Sequence, residues 1–485
     1  MVFSSYLFLF YYLPVVLLLY YASPRRGRHL ILTLMSYLFY GWANPLFVLL
    51  LLASTTIDYF CGLVIAHRGF GGWGRPIQKL PPRATRTRAQ RIAVTLSIIS
   101  NLSLLGFFKY FNFVADNFDV IVGWLGLPEL QIQRVVTVVL PLGISFYTFQ
   151  SMSYTIDVYR GHARALRNFI DFACYVSMFP QLVAGPIIRF SEVADQLAER
   201  THTVTKLARG VAFVSLGLAK KVLLANPCGK VADVAFEAGS IGVVDAWYGV
   251  IAYAFQIYFD FSAYSDMAIG LGLMLGFVFS KNFDSPYLAQ SITEFWRRWH
   301  ISLSTWLRDY LYMPLGGSRK GRWRTYRNLA VVMLLGGLWH GAAWNFLVWG
   351  GLHGILLAAE RLRGKSSPYE WLPKAGRQAV TFVLVLITWV FFRADDLPGA
   401  LFYLQSMFGL AAVHETAGLL GGILYQPYYL GTMVLAALLT WTCPQTWDWT
   451  RTIPPWKMLA IVGLWLACVA VLATQAYNPF IYFIF

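Results

Sequence analysis

Residues 329–359, LAVVMLLGGLWHGAAWNFLVWGGLHGILLAA, run for 31 residues without a charged side chain, and only His340, Asn345 and His353 among them are strongly polar. One straight helix of that length would be about 46 Å long, against the ~30 Å hydrocarbon core of a bilayer. The run must tilt, break or form two helices. Thirteen residues separate the two histidines, which puts them roughly 140° apart around a continuous helix. They can share one site only if the chain breaks between them. Gly336, Gly337 and Gly341 leave the backbone bare beside His340, and Gly350, Gly351 and Gly354 do so beside His353. Another helix or a ligand can therefore approach closely.

The rest of the chain has the same character. Of its 485 residues 58% are hydrophobic and 13% charged, whereas a soluble domain carries about 25% charged residues. Uncharged runs recur, among them 6–22, 30–54, 92–108, 135–156, 417–441 and 458–485. The expectation is an all-α polytopic membrane protein with about 10 to 13 membrane segments, some short or re-entrant, forming a single domain over 1–485. The run at 6–22 has no basic segment before it and no small-residue cleavage site after it, so it reads as a retained first span.

A formal charge of +16 would raise the question of nucleic acid in a soluble chain. Here the basic residues gather in loops: seven Arg or Lys and no acid at 67–91, and five and no acid at 318–327, with SPRRGRH at 23–29. That pattern marks cytoplasmic loops. It makes 30–66 a hairpin turning near GWANP at 41–45, with the N-terminus outside. Cys61, Cys174, Cys228, Cys443 and Cys468 show no paired spacing, so they read as small core residues rather than a metal site or disulfide framework.

Two stretches read as surface helices, 189–210 and 291–312. In the second, SITEFWRRWHISLSTWLRDYLY, residues Phe295, Trp299, Leu303, Trp306 and Tyr310 form one helical stripe with His300 at its edge. It suits first an interfacial anchor rich in Trp and Arg, and also a grip on an anionic cofactor by Arg297 and Arg298 beside Trp296 and Trp299. Asp260 and Asp266 lie on different faces of an apolar helix, so each reads as a helix contact or an arginine partner rather than half of a catalytic pair. The chain has no serine nucleophile elbow, phosphate loop, dinucleotide fingerprint or HExxH. His340 remains as a general-base candidate, with a neutral imidazole bridging helices as the alternative.

Long strings of this sequence resemble the membrane-bound O-acyltransferase family, in its bacterial polysaccharide-acetylating branch. They are QSITEFWRRWHISLSTWLRDYLYMPLGG (290–317), YRNLAVVMLLGGLWHGAAWNFLVWGGLHG (326–354), LPLGISFYTFQSMSYTIDVYRG (140–161), FPQLVAGPIIRF (179–190) and YFDFSAYSDMAIGLGLMLGF (258–277). The resemblance implies a helical bundle around a central tunnel, with His340 catalytic and His300 a second important histidine. Trp296, Trp299, Trp339, Arg297, Arg298 and Asn345 then become candidates for contact with the donor. It further implies an enzyme of the bacterial inner membrane with no permanently bound cofactor and no metal, using acetyl-CoA as donor and a periplasmic transferase as partner. Alginate is the expected acceptor. Cellulose or peptidoglycan acetylation, D-alanyl transfer to teichoic acid and, outside enzymes, a channel or transporter remain as alternatives.

Overall fold

The computed structural model describes residues 1–71, 76–82, 84–132, 137–364, 367–475 and 477–479, apart from the side chain of Thr416. Arg75 and Arg83 of the basic 67–91 loop, and the ends of the runs at 135–156 and 458–485, lie outside the described residues. The described chain is helical, with no strand. Among the described residues, four helices are long and apolar enough to cross a membrane: Leu46–His67, Arg88–Trp124, Lys374–Arg393 and Pro455–Thr474. A fifth span is possible if Ala417–Leu424 and Pro427–Thr442, bent by 69°, count as one. Other apolar runs appear as shorter or broken helices. Contacts divide the chain into two compact units, 1–207 with 271–279, and 208–270 with 280–485.

In the first unit, Arg28–Gly41 and Leu46–His67 are joined by a turn at 42–45, where the GWANP string asks for one. The bundle is tied by polar side chains. Asp58, fully buried, accepts hydrogen bonds from Ser97 Oγ (2.6 Å), Asn101 Nδ2 (2.7 Å) and Ser151 Oγ, so one carboxylate joins three helices. Buried polar groups persist in apolar surroundings only when satisfied in this way. The amphipathic 189–210 stretch is not one helix. Phe190–Ala198 ends, five loop residues follow, and Val204–Ala219 begins. In that loop Arg200 reaches back to Tyr20 Oη (2.8 Å) and His29 Nε2 (2.7 Å). Burial, and then Arg28 and Arg200, hold the neighbouring His202 below the ordinary histidine range.

In the second unit, Asp260 and Asp266 do face different ways, as their spacing requires. Their partners are adjacent lysines rather than arginines: Lys221 at 2.9 Å from Asp260, and Lys220 at 2.7 Å from Asp266. Four of the five cysteines are buried and unpaired; Cys443, just past Pro427–Thr442, is exposed, so the core reading fails for it.

The long uncharged run resolves into two helices, Arg322–His340 and Trp344–Leu362. They pack antiparallel through their glycines. A Cβ on Gly337 would stand 2.3 Å from the Phe346 carbonyl oxygen, and one on Gly350 2.3 Å from that of Met333. Both obstacles are backbone, so neither can swing aside. Gly350→Leu should therefore force the pair apart, and the yield of monodisperse purified protein should fall several-fold. Gly422→Leu, with open space around it, is the control expected to purify normally.

Candidate active site

The break after His340 builds the site. Gly341 and Ala343 are both extended (φ −155° and −151°), and helix restarts at Trp344. The chain thus folds back, and the two histidines that a straight helix would separate come to flank one indole. The Trp349 ring lies 5.2 Å from that of His340 and 5.0 Å from that of His353, centroid to centroid. The condition set by their thirteen-residue spacing is met by the break.

His353 is fully buried and held at both nitrogens. Trp296 Nε1 donates to its Nδ1 (3.3 Å), and Thr388 Oγ lies 3.1 Å from its Nε2 while giving its own proton to the Val385 carbonyl. His353 therefore carries its proton on Nε2 and orients Trp296.

His300 does not sit on a continuous helix, which corrects the single-stripe reading of 291–312. Ile292–Arg298 ends, His300 adopts a left-handed conformation (φ +43°), and a new helix runs Ile301–Leu307 before a wider turn at Arg308–Tyr312. The cause is a competing strand of backbone. Asp284 N–H bonds the Arg298 carbonyl and Ile301 N–H bonds the Asn282 carbonyl, both at 2.9 Å, in place of helical hydrogen bonds. The turn points the His300 ring inward, where it is fully buried and 6.5 Å from the His340 ring. Trp339 packs against both, 6.0 Å from His300 and 5.0 Å from His340.

His340 is boxed by aromatic rings, with Phe392 at 5.1 Å on a further side. It opens on a cavity of about 130 Å³ lined by Trp296, Leu303, Leu307, Met333, Gly336 and Trp349, with Ser304 at the edge. No charged side chain lines it. Its size is close to the ~150 Å³ of an apolar cavity that holds benzene, so it suits a small neutral group. Gly336 is bare on the cavity side, with only Leu307 3.6 Å from where a Cβ would stand. Trp349, which lines the cavity, has its Nε1 buried and without a hydrogen-bond partner among the described residues.

The other residues singled out by sequence separate. Trp296 and Trp339 stand at the histidines. Trp299 is buried in the aromatic core, against Phe295 (5.6 Å), Phe283 (5.1 Å) and Trp389 (5.1 Å). Arg298 is engaged by Glu294 (2.8 Å) and the Asp284 carbonyl (3.0 Å), while Arg297 is exposed. Asn345 Nδ2 ties its helix to the Ala394 carbonyl at 2.7 Å. Sequence reasoning missed Trp349, Phe392 and Asn282. Trp349 was legible in principle, being four residues before His353 and so on its face of a helix; Phe392 and Asn282 carry no local signal.

The site is thus a buried histidine, His340, opening on a small uncharged cavity, with the buried His300 ring 6.5 Å away. Comparison with known proteins gives the class of chemistry. Residues 160–394 match the model of MBOAT, the membrane-bound O-acyltransferase family. The chain is 46% identical to "Probable alginate O-acetylase AlgI" of Pseudomonas aeruginosa over 90% of its own length and 80% of that relative. It is 43% identical to the protein of the same description from Pseudomonas putida over the full length of both. It is also 40% identical to "Peptidoglycan O-acetyltransferase" of Helicobacter pylori, over 67% of this chain and 66% of that one. The chain belongs to the membrane-bound O-acyltransferase family and is an acyltransferase.

The cavity should limit the acyl group. Leu357 lines it and is only partly buried, so Leu357→Ala widens the space without touching a histidine. The ratio of butyryl to acetyl transfer in purified protein should rise about tenfold, and an unchanged ratio would separate this cavity from the acyl group.

Proposed function

We propose that this chain transfers acetyl groups from cytoplasmic acetyl-CoA, across the bacterial inner membrane, for O-acetylation of an exopolysaccharide, with alginate the favoured acceptor. A periplasmic transferase completes the delivery. The observation that carries this reading is His340 at a 130 Å³ uncharged cavity, a space matched to an acetyl group rather than a long acyl chain. The names of the relatives support the acceptor class, and full-length similarity to an alginate O-acetylase favours alginate over peptidoglycan.

In this reading His340 is the general base. Its imidazole takes the proton of an acceptor hydroxyl, the oxygen attacks the thioester carbonyl, and the tetrahedral oxyanion collapses with loss of the C–S bond. The thiolate leaves with the proton returned by the imidazolium, so the step balances without any outside proton. The unpartnered Trp349 N–H is the donor suited to the oxyanion. His300, 6.5 Å from His340, is the second ring at the reacting centre. Of the basic loop, Arg322 faces an open cleft of about 440 Å³ together with Arg361, Tyr326 and Ser318. Two guanidinium groups there suit the phosphates of the donor, a better placement than that of Arg298, which Glu294 already holds.

His340→Ala, expressed in place of the native protein, should abolish O-acetyl groups on the secreted polysaccharide while its level in the membrane stays near normal. Acetyl content is read by alkaline release from purified polymer. Normal acetylation in that variant would sink the assignment.

A further inference from the structure

We infer that Asn282 is a positioning residue: it holds His300 in the tautomer with the proton on Nδ1, leaving Nε2 as a free lone pair beside the acyl-transfer site. This rests on the reading of His300 as a member of that site.

The hydrogen bonds around Asn282 fix the direction of each. Asn282 Oδ1 receives the Ser302 backbone N–H (3.1 Å) and the Ser302 hydroxyl (2.9 Å). A backbone N–H can only donate, so the atom facing Ser302 is the amide oxygen. That same oxygen lies 3.3 Å from His300 Nδ1. Two acceptors cannot bond each other, so Nδ1 carries the proton. Ser302 Oγ, 3.4 Å from Nδ1, has given its proton to Asn282 and offers only lone pairs there. The other tautomer would set the Nδ1 lone pair against both oxygens.

With Nδ1 protonated, a neutral imidazole has its lone pair on Nε2. That nitrogen is fully buried and has no hydrogen-bond partner among the described residues. An unsatisfied buried acceptor is destabilising, and the left-handed backbone of His300 (φ +43°) adds strain uncommon for a residue with a side chain. Asn282 keeps the turn in place from the main chain as well, since its carbonyl takes the Ile301 N–H. Its Nδ2 makes no hydrogen bond among the described residues. Asn282 also lines a polar cavity of about 10 Å³ with Ser262, Ser265, Asp266 and Lys281. One side chain thus sets both the orientation and the protonation pattern of His300. A group held at this cost is poised to accept a proton or a hydrogen bond from a reactant.

The test is the ¹⁵N spectrum of the purified full-length protein labelled at histidine, with the His300 signal identified by its loss in His300→Gln. Wild type should show Nδ1 protonated and Nε2 bare. Asn282→Asp keeps the acceptor, so it should keep that tautomer and a kcat within a few-fold of wild type. Asn282→Leu should give a mixed or inverted tautomer and lower kcat about tenfold or more, with KM for acetyl-CoA little changed. A proton on Nε2 in wild type overturns the inference even if no variant folds, and so does an inverted tautomer with wild-type kcat in Asn282→Leu. Full activity in His300→Ala would instead remove His300 from the reaction, while the wild-type spectrum would still report whether Asn282 holds the ring.

Discussion

An uncharged run too long for one membrane crossing has to be interrupted, and where it is interrupted decides what the chain can do. Here the interruption falls directly after His340. Gly337 and Gly350 let the two halves lie backbone against backbone, which is how helices associate where there is no water to drive them together. Closing that hairpin sets Trp349 between His340 and His353 and leaves Gly336 facing the cavity. Adding a Cβ to the packing glycines would push apart the walls of the site as well as the helices.

The protein treats its buried polar groups in two ways. Asp58 accepts from hydroxyl and amide donors, Asp260 and Asp266 each pair with a lysine, and His353 is held by Trp296 and Thr388. These contacts tie helices together. Other buried polar atoms, in both units, have no protein partner among the described residues, and two of them belong to rings packed against His340. His300 Nε2 and Trp349 Nε1, one acceptor and one donor, are buried without protein partners among the described residues. In the proposed reading, the reacting groups supply the missing partners.

Much of this was legible in the sequence. Helical class followed from composition, the break in 329–359 from its length, and the aspartates' separate faces from their spacing. Family motifs singled out His300 and His340. Periodicity misled at 291–312, where a regular apolar stripe suggested one helix. The interruption comes from residues 282–284, which take the hydrogen bonds that would have continued it. No local pattern shows that competition. For the same reason Asn282 was invisible, as were Phe392 and the engagement of Arg298 by the Asp284 carbonyl: each depends on a contact between segments distant in sequence.

The central claim is that the acyl group reacts at His340, inside the cavity made by the break. A structure of the full-length protein with a non-transferable acetyl-CoA analogue tests it most directly. The expected result is the acetyl carbonyl in the pocket between Trp296, Gly336 and Trp349, with the position of the attacking hydroxyl within hydrogen-bond reach, about 3 Å, of His340. An acyl group bound elsewhere, with this cavity empty or filled by lipid, would contradict it.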